Sequence, residues 1–382
     1  MTIHFVYVSN AHINTTSALA REIGRRLAED YEVKLHHPND TGVIIPAQGD
    51  ILIGHPNRYR SCLFSRSFAQ SGWAKRIVFA PFSLGMLEDA AAIDPLVCVA
   101  DLYLAITGAY WFDAVDGSAV SHWRHKMMRC DLGVERGHFP KIKSRFNPPG
   151  RRRFLYIGNA DPMRGGDFLA TLADANPELE FGWIRASNSR HCLDDVVEPS
   201  TIRLNRRMRA SRLKARVLSW HRPDGLQIIS QYDVILSCAR SEAMPCEILE
   251  AASWGLVPVT TPQCGYEADE WMSHMPLDDV AAASTVLHRL NHCDETELKE
   301  RQAAGFRILE RRYNWDAVSA QVRAALEGPI PRAPEDAAWV AEARANQRRL
   351  KALLLRHRTV NALGRTAHAL YGFSRQTLPA GR

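Results

Sequence analysis

Three carboxylates stand in a stretch of the chain whose pattern is otherwise typical of buried structure. The stretch is RSEAMPCEILEAASWGLVPVTT, and the carboxylates are Glu242, Glu247 and Glu250. Glu242 follows the apolar run YDVILSC, which predicts a strand, and Glu250 lies among apolar residues of a predicted helix from Pro245 to Trp254. An ionised carboxylate left unpaired in such surroundings costs several kcal/mol. Glu250 therefore needs hydrogen-bond donors, and the two hydroxyls of a ribose would supply them.

Each carboxylate also has a structural interpretation. Glu247 falls in the first turn of the helix, where a negative charge is favoured by the helix dipole, and that role suffices for it. Glu242 could act as a capping or turn carboxylate, and Glu250 could lie on a solvated helix face. The backbone N–H groups from Ala243 to Glu247 are predicted to be free at the helix start, where they would form an anion site. Gly255 is the predicted end of the helix.

The elements around these carboxylates alternate between predicted strands and predicted helices. Apolar runs predict strands at residues 3–9, 31–37, 50–56, 76–81, 101–107, 153–158, 179–185, 215–220, 232–238 and 256–261. Between the first two, Leu19, Ile23 and Leu27 recur at helical spacing, with Thr16 or Ser17 as the predicted N-cap. This alternation predicts an α/β fold with parallel sheets, in which ligands bind beyond the carboxyl ends of the strands.

The length of the chain and a segment rich in proline predict more than one domain. The chain has 382 residues, of which 46% are hydrophobic, and this exceeds what one ordinary core holds. Residues 140–150 combine prolines and a glycine with few apolar side chains, which is typical of a linker. We therefore predict domains at 1–140 and 141–330, a basic helical extension at 331–382, and a ligand site in the cleft between the two domains.

The spacing S-E-x-x-P-x-x-x-x-E-A, followed by W-G-x-V-P-V-T-T, resembles the E-x7-E segment of retaining glycosyltransferases of family 4. The resemblance implies the GT-B fold, in which two Rossmann-like, doubly wound domains face each other across a cleft. It also implies that Glu250 binds the nucleotide ribose and that Glu242 contacts the donor sugar. The backbone of Ala243 and Met244 would hold the diphosphate.

Other segments match the family in the expected order. FLYIGNADPMRGGDFL resembles the opening of its second domain, where a basic pair grips the donor phosphates. Arg164 fills the position of the usual Lys, whereas Asn159, after Gly158, stands where Arg is usual. LGVERGHFP resembles the end of the family's first domain, and RRYNWDAVSAQVRAALE its aromatic-x-Trp segment. QCGYEADEW stands where the family has a Gly-Gly turn, with Cys264 in place of the first glycine.

The resemblance implies transfer of a sugar from a nucleotide-sugar donor to a hydroxyl acceptor, either a glycan or a lipid-linked saccharide, with retention of configuration. Glu242 and Arg164 would be the catalytic residues, and Gly158 and Asn159 would lie in the donor site. No cofactor and no metal are implied, and the sequence lacks the Asp-x-Asp signature with which other transferases hold a metal. A nucleotide-sugar epimerase or hydrolase and a non-enzymatic protein that binds lipid or nucleic acid remain as alternatives.

The first domain offers candidates for the acceptor side. Asn10 and His12 follow the first predicted strand in the loop SNAHINTT, and His55 ends a later predicted strand. Each histidine has the alternative of an ordinary hydrogen-bonded loop residue. His122 and His125 stand at i and i+3, but the sequence offers no third ligand beside them, so we expect no metal there.

Charge and cysteine content bear on the partners. The net charge of +6 favours anions, and basic residues concentrate in two helical patterns. These residues are Arg203, Arg206, Arg207, Arg209, Arg212, Lys214 and Arg216 in one pattern, and Arg344, Arg348, Arg349, Lys351, Arg356, Arg358 and Arg365 in the other. Each pattern is explained by a solvated helix face or by contact with an anionic membrane or acceptor. The eight cysteines form no C-x-x-C pair, and no stretch matches a membrane span. We therefore expect a cytoplasmic protein that is peripheral at the inner membrane face. We expect no nucleic-acid partner.

Overall fold

The computed structural model describes residues 1–8, 15–56, 62–186, 199–218 and 223–353, and its framework is a pair of parallel sheets. The strands of the first sheet are β1 (Thr2–Val6), β2 (Glu32–His36), β3 (Ile51–Gly54), β4 (Lys75–Pro81), β5 (Leu102–Ile106) and β6 (Met127–Cys130). They lie in the order β2-β1-β3-β4-β5-β6. We call this sheet and the helices on it the first domain.

The second sheet has the strand order of a doubly wound fold. Its strands are β7 (Arg153–Ile157), β8 (Glu180–Ala186), β9 (Lys214–Leu218), β10 (Val234–Ser237), β11 (Val257–Thr260) and β12 (Ser273–His274). They lie in the order β12-β11-β10-β7-β8-β9, so the chain order reverses at β7 and β10. A crevice opens beyond the carboxyl ends of the strands at such a switch point. We call this sheet and its helices the second domain.

Helices cover the sheets. They are α1 (Thr15–Leu27), α2 (Leu63–Phe68), α3 (Leu84–Glu88), α4 (Ala90–Val99), α5 (Ala109–Ala114), α6 (Gly166–Ala175), α7 (Pro199–Ala210), α8 (Pro223–Ile229), α9 (Cys246–Trp254), α10 (Val280–His292), α11 (Glu295–Arg311), α12 (Trp315–Glu327) and α13 (337–353). The starts of three later helices are capped by side chains. Asp279, Asp294 and Asn314 accept hydrogen bonds from backbone N–H groups three residues ahead, at 3.0, 2.8 and 2.8 Å.

The predicted strands are all present, although β2 has three exposed positions among its five residues. β1, β3, β5, β10 and β11 are buried along their whole length. β6 and β12 were not predicted, since β6 has one exposed position among four residues and β12 has only two residues. The predicted N-cap of α1 was wrong, because Thr16 and Ser17 lie inside a helix that already includes Thr15.

The last helices join the two domains. α12 follows the second domain in the chain but packs against α1, β5 and β6 of the first. Lys75, at the start of β4, donates hydrogen bonds to three carbonyl oxygens at the end of α12, those of Ala325, Leu326 and Gly328, at 2.7 to 2.9 Å. The boundaries 1–140, 141–330 and 331–382 stay a prediction. Within the described ranges, no helix is both long enough and apolar enough to cross a membrane.

Candidate active site

The helix α9 begins directly beyond the carboxyl end of β10. Pro245 is extended, with ψ of 125°, and occupies the N-cap, so the prediction that it is the first helical residue was off by one position. Gly255 ends the helix in the left-handed region with φ of 98°, as predicted. Ile248 and Leu249 are fully buried against the core. Glu247 and Glu250, three residues apart, therefore project on the other side of the helix.

A tight turn after β7 brings Arg164 to the start of α9. The turn Pro162–Arg164 is followed by Gly165, whose φ is 67°. A Cβ atom at Gly165 would lie 1.8 Å from the carbonyl oxygen of Cys238, so only glycine permits this close approach to the end of β10. The position of Arg164 is thus fixed by backbone packing.

Arg164 forms ion pairs with two carboxylates. Its Nε lies 2.9 Å from Oε1 of Glu242, and its Nη1 lies 2.8 Å from Oε1 of Glu247. Glu247, which the sequence explained by the helix dipole alone, therefore shares Arg164 with the predicted Glu242. We call Arg164, Glu242 and Glu247 the arginine–glutamate triad; it carries two carboxyl groups for one guanidinium.

The pKa of Glu242 is raised, chiefly by burial. Burial raises it to about 7, the charge of Arg164 opposes the rise, and the charge of Glu247 adds to it. The pKa of Arg164 is raised well above its usual value, chiefly by Glu247 and also by Glu242, against the effect of burial. The guanidinium therefore stays charged at physiological pH.

Glu250 lies one turn further along α9 and faces a cavity between the domains. Burial raises its pKa to about 7, the charge of Glu247 acts in the same direction, and a hydrogen bond from Cys246 opposes both. The side chain is thus neither in bulk solvent nor in an ion pair with Arg164. That its carboxylate takes hydrogen bonds from a ligand stays a prediction.

The cavity measures about 420 Å³, within the size range of small-molecule sites. The second domain lines it with Ile157, Gly158, Arg164, Cys246, Glu247 and Glu250. The first domain and α12 line it with part of α1, residues in the segment 132–139, and Trp315. A ligand in this cavity would contact both domains at once.

A side chain at Gly158 would strain the backbone and displace Tyr156 or Arg164 in the cavity wall. The φ of this glycine is 152°, and a Cβ atom there would lie 2.8 Å from the hydroxyl oxygen of Tyr156 and 3.1 Å from Nη1 of Arg164. The next residue, Asn159, accepts a hydrogen bond from the Tyr156 hydroxyl at its carbonyl oxygen (2.9 Å). Its side-chain Oδ1 is buried, and no group in the described part of the chain donates to it.

The backbone between Glu242 and Glu250 is less free than predicted. Met244 has a positive φ of 64°, and its N–H donates to the carbonyl oxygen of Cys264 at 3.0 Å. The N–H of Glu242 donates to the carbonyl oxygen of Gln263 at 3.1 Å. The prediction that the amide of Met244 is free to hold a diphosphate was therefore wrong, because the loop 263–265 already uses it. Among the described residues, nothing accepts from the N–H of Ala243.

The loop 263–265 also touches the first domain. The indole N–H of Trp111, in α5, donates to the carbonyl oxygen of Gln263 at 2.8 Å. Gly108, just before α5, packs so closely on Gly265 that a Cβ atom at Gly108 would lie 1.5 Å from the Gly265 carbonyl oxygen. The loop therefore connects the backbone at the start of α9 to the opposite side of the cleft.

Comparison with known proteins gives structural matches only. No protein-family profile and no curated protein matches the sequence. Sucrose-phosphate synthase from Thermosynechococcus elongatus superposes with a TM-score of 0.60 at 13% identity, over 85% of this chain and 98% of that one. HepE from Anabaena, in complex with UDP and glucose, superposes with a TM-score of 0.55 at 12% identity, over 86% of this chain and 99% of that one. A trehalose-6-phosphate synthase, studied for glycosyl transfer with retention, superposes with a TM-score of 0.56 at 14% identity, over 75% of this chain and 76% of that one.

The chain has the GT-B fold. The predicted fold class is thereby confirmed, since two doubly wound domains face each other across a cleft that Arg164, Glu247 and Glu250 line. Identities this low carry the architecture alone. Membership of family 4 and the roles assigned through its E-x7-E segment stay predictions.

The candidates on the acceptor side of this GT-B fold are placed unevenly. Asn10 and His12 lie outside the described residues. His55 follows β3 and contacts the ring of Tyr7 edge-on, at 5.7 Å between centroids, but it does not line the cavity. Burial lowers the pKa of His55 to about 4, so the imidazole is neutral at physiological pH. An electrostatic role for His55 toward an anionic acceptor is therefore not supported.

His122 and His125 do not converge on a common point. His122 pairs through Nε2 with Oδ1 of Asp94 at 2.7 Å, whereas Nδ1 of His125 contacts the carbonyl oxygen of His122. Asp94 also accepts hydrogen bonds from Trp123 (2.9 Å) and Cys98 (3.4 Å) on the same oxygen. Although Asp94, Cys98 and His122 are metal-ligating residue types within reach of one another, we interpret them as a buried hydrogen-bond network.

Sequence reasoning missed the contribution of α1 to the cavity. Ala18, Arg21 and Glu22 line it, at the i, i+3 and i+4 spacing of one helix face. The sequence predicted α1 from the spacing of its apolar residues, but this spacing identifies only the buried face of the helix and not the face that lines the cavity. Trp315 and Glu135 lie in segments that the resemblance identified, although neither residue was singled out.

Proposed function

We propose that this protein is a retaining glycosyltransferase that moves a sugar from a nucleotide-sugar donor to a hydroxyl acceptor. The observation that carries the proposal is the position of Glu250, which faces the interdomain cavity one turn from the pair of Arg164 and Glu247. Ribose hydroxyls are suitable donors to this carboxylate. Two of the matched structures support the proposal. HepE is in complex with UDP and glucose, and the trehalose-6-phosphate synthase was studied for glycosyl transfer with retention.

In the proposed reaction, Arg164 stabilises the charge that develops on the departing diphosphate. Its guanidinium is held in place by the triad before the donor arrives, so little reorganisation is needed as the bond breaks. Glu242 orients the donor sugar through its hydroxyls. The acceptor attacks on the face of the leaving group, and a phosphate oxygen takes its proton, so no side-chain nucleophile is required.

We further propose that the reaction needs no metal and no cofactor. Arg164, the N-terminal end of α9 and the N–H of Ala243 would together supply the positive potential that a metal supplies elsewhere. The sequence without an Asp-x-Asp pair agrees with this proposal. The acceptor would be a glycan or a lipid-linked saccharide.

The basic extension bears on the acceptor. The inner face of α13 packs on the first domain, where Asn346 donates to Ser121 at 2.9 Å and Gln347 to Cys98 at 3.3 Å. Its outer face carries exposed basic residues, which are Arg344, Arg348, Arg349 and Lys351. The packing of the inner face supports the interpretation as a helix with a solvated basic face, and we propose that this outer face also contacts anionic lipid. Arg356, Arg358 and Arg365 lie outside the described residues.

The test of the proposed function is a thermal-shift screen of nucleoside diphosphates and nucleotide-sugars, followed by an assay with and without acceptor. A ligand that binds the folded state raises the melting temperature. Release of diphosphate only in the presence of acceptor supports transfer, whereas release without acceptor indicates a hydrolase or an epimerase. Failure of every nucleotide to stabilise the protein would contradict the proposal.

Two variants separate the roles of the carboxylates. Glu250→Ala should weaken binding of the stabilising nucleoside diphosphate by at least about tenfold, because it removes the acceptor of charged hydrogen bonds from the ribose. Glu242→Ala should instead lower kcat, on the order of 100-fold, with a small effect on the Kd of the nucleotide. Glu300→Ala, an exposed glutamate of α11, serves as the control. Calorimetric titration that shows an unchanged Kd for Glu250→Ala would count against the assignment.

A further inference from the structure

The charges that line the cavity do not favour a diphosphate at the second domain alone. Arg164 is already paired with Glu242 and Glu247, and Glu250 adds a further carboxyl group. A diphosphate brings at least two negative charges to this wall. Binding it there therefore calls for a cation that is not committed to the triad.

Arg21 is a cation of this kind on the opposite wall. It lies on the face of α1 that lines the cavity, next to Ala18 and Glu22. Its side chain is 57% exposed, and only its Nε has a partner in the described part of the chain, Oε1 of Glu22 at 3.0 Å. Within the described residues, the two Nη groups of Arg21 have no partner and are able to bind a ligand.

Releasing Arg21 from Glu22 would leave no buried charge unpaired. Glu22 has a side chain that is 10% exposed, and it also accepts a hydrogen bond from Nη1 of Arg26 at 2.9 Å. Arg25 contributes a third guanidinium, 3.8 Å from Glu22. The pKa of Glu22 is lowered, against the effect of burial, by Arg21 and Arg26 together. Glu22 thus keeps a partner when Arg21 turns to another anion.

We propose that Arg21 binds the diphosphate of the donor from the first domain, across the cavity from Arg164; this inference rests on the proposed function. The diphosphate would then lie between two guanidinium groups, one from each domain. A guanidinium binds phosphate oxygens through paired, charge-assisted hydrogen bonds. Contact with Arg21 makes donor binding depend on the first domain as well as on the second.

The experiment compares three probe pairs on the full chain by calorimetric titration: UDP with uridine, GDP with guanosine, and ADP with adenosine. The pair with the tightest diphosphate is then used. Arg21→Ala should weaken binding of that diphosphate about tenfold and change binding of its nucleoside less than about twofold, since the nucleoside has no phosphate. Arg21→Lys should recover part of the loss, because it restores the charge without the paired geometry.

Arg25→Ala is the matched control. Arg25 lies one turn further along α1, is 59% exposed and contacts the same Glu22, but it does not line the cavity. Its replacement should leave both Kd values within about twofold of the original. Equal melting temperatures of the ligand-free variants and the original protein establish that neither replacement disturbs folding.

The outcomes distinguish this inference from the proposed function. If the original protein binds none of the three diphosphates, the proposed function fails and the inference fails with it. If it binds one of them and Arg21→Ala binds it equally well, the inference alone is overturned. The same holds if Arg21→Ala weakens the nucleoside as much as the diphosphate, since Arg21 would then shape the cavity without contacting phosphate.

Discussion

Glu250 is the residue in which burial and proposed function conflict most directly. Burial raises its pKa to about 7, so both the protonated and the ionised form are populated in the folded protein near neutral pH. A ribose that donates two hydrogen bonds would favour the carboxylate. Binding of a nucleotide is therefore linked to loss of a proton from Glu250, and its affinity should rise as the pH increases through about 7.

This linkage predicts that Glu250→Gln stabilises the ligand-free protein while weakening nucleotide binding. The pKa of Glu250 is raised from 4.5 to about 7, so its contribution to stability is fully present below pH 4.5 and is lost as the pH rises through about 7. Glutamine stays neutral, and the variant should exceed the original protein in free energy of unfolding by about 1–3 kcal/mol at high pH.

Urea unfolding at pH 5 and pH 8.5 is the measurement for Glu250→Gln, and about 1 kcal/mol is resolvable there. The difference should be smaller at pH 5, about 1 kcal/mol, because Glu250 is protonated in the folded state there and only the unfolded state has begun to ionise. Glu300→Gln is the control at both pH values. An equal stability of Glu250→Gln and the original protein at pH 8.5 would show that the carboxylate is well solvated, and the interpretation of its burial would be wrong.

At the scale of single residues, the sequence identified the residues that a local pattern marks as unusual. Glu242, Glu250 and Arg164 were all predicted; Glu250 and Arg164 line the cavity, and Glu242 lies behind Arg164 as its ion-pair partner. The part played by Glu247 was missed because its first-turn position already explains a carboxylate, and its contact with Arg164 joins residues 83 positions apart. The engaged amide of Met244 was missed for the same reason, since its acceptor lies in a separate loop.

Among the elements, the loop 263–265 has the most consequences for the site. It accepts hydrogen bonds from the backbone at the start of α9 and from Trp111 of the first domain. Its place in the sequence could be predicted, but its contacts could not, because they depend on how the two domains approach each other. The strands were predictable from continuous apolar runs, whereas short elements such as β12 carry too few residues to form a pattern.

We predict that Gly108→Ala separates this loop from the first domain. The added Cβ atom would lie 1.5 Å from the carbonyl oxygen of Gly265, so the backbone on one side must move. The expected cost is about 1–3 kcal/mol of unfolding free energy, together with weaker nucleotide binding because the start of α9 loses its support. Thermal denaturation and calorimetric titration measure the two effects.

Gly117→Ala is the control for Gly108→Ala, since a Cβ atom at Gly117 meets nothing within 4 Å. It should leave both the melting temperature and the Kd of the nucleotide unchanged. If Gly108→Ala behaved in the same way, the close contact between Gly108 and Gly265 would not be part of the nucleotide-binding conformation.

At the scale of the whole molecule, α12 connects the two domains: it follows the last strand of the second sheet in the chain and packs on the first domain. Asp131 receives hydrogen bonds from Arg312, just before α12, at 2.9 Å, and from Gln321 within α12 at 3.0 Å. Lys75 neutralises the carbonyl end of the same helix. The resemblance implied this return toward the first domain, but no periodicity in the sequence could have identified its partners.

The exposed basic face of α13 leads to a prediction about the molecule as a whole. Because the inner face of α13 is occupied by the first domain, its outer face is free to meet a surface. Each basic residue near an anionic membrane contributes about 1 kcal/mol, so reversing two charges should weaken binding to phosphatidylglycerol vesicles by at least about tenfold. The variant is Arg344→Glu with Arg348→Glu, measured by vesicle co-sedimentation at low salt, with phosphatidylcholine vesicles as the neutral surface.

A second double variant distinguishes the effect of the basic face of α13 from the effect of the net charge of the protein. Arg307→Glu with Arg311→Glu makes the same charge change at the same spacing on the exposed side of α11, in the second domain. It should bind the anionic vesicles nearly as well as the original protein if α13 is the contact. Equal losses in both variants would mean that the net positive charge attracts the membrane without a preferred face, because a screened, long-range attraction does not depend on which helix carries the charge.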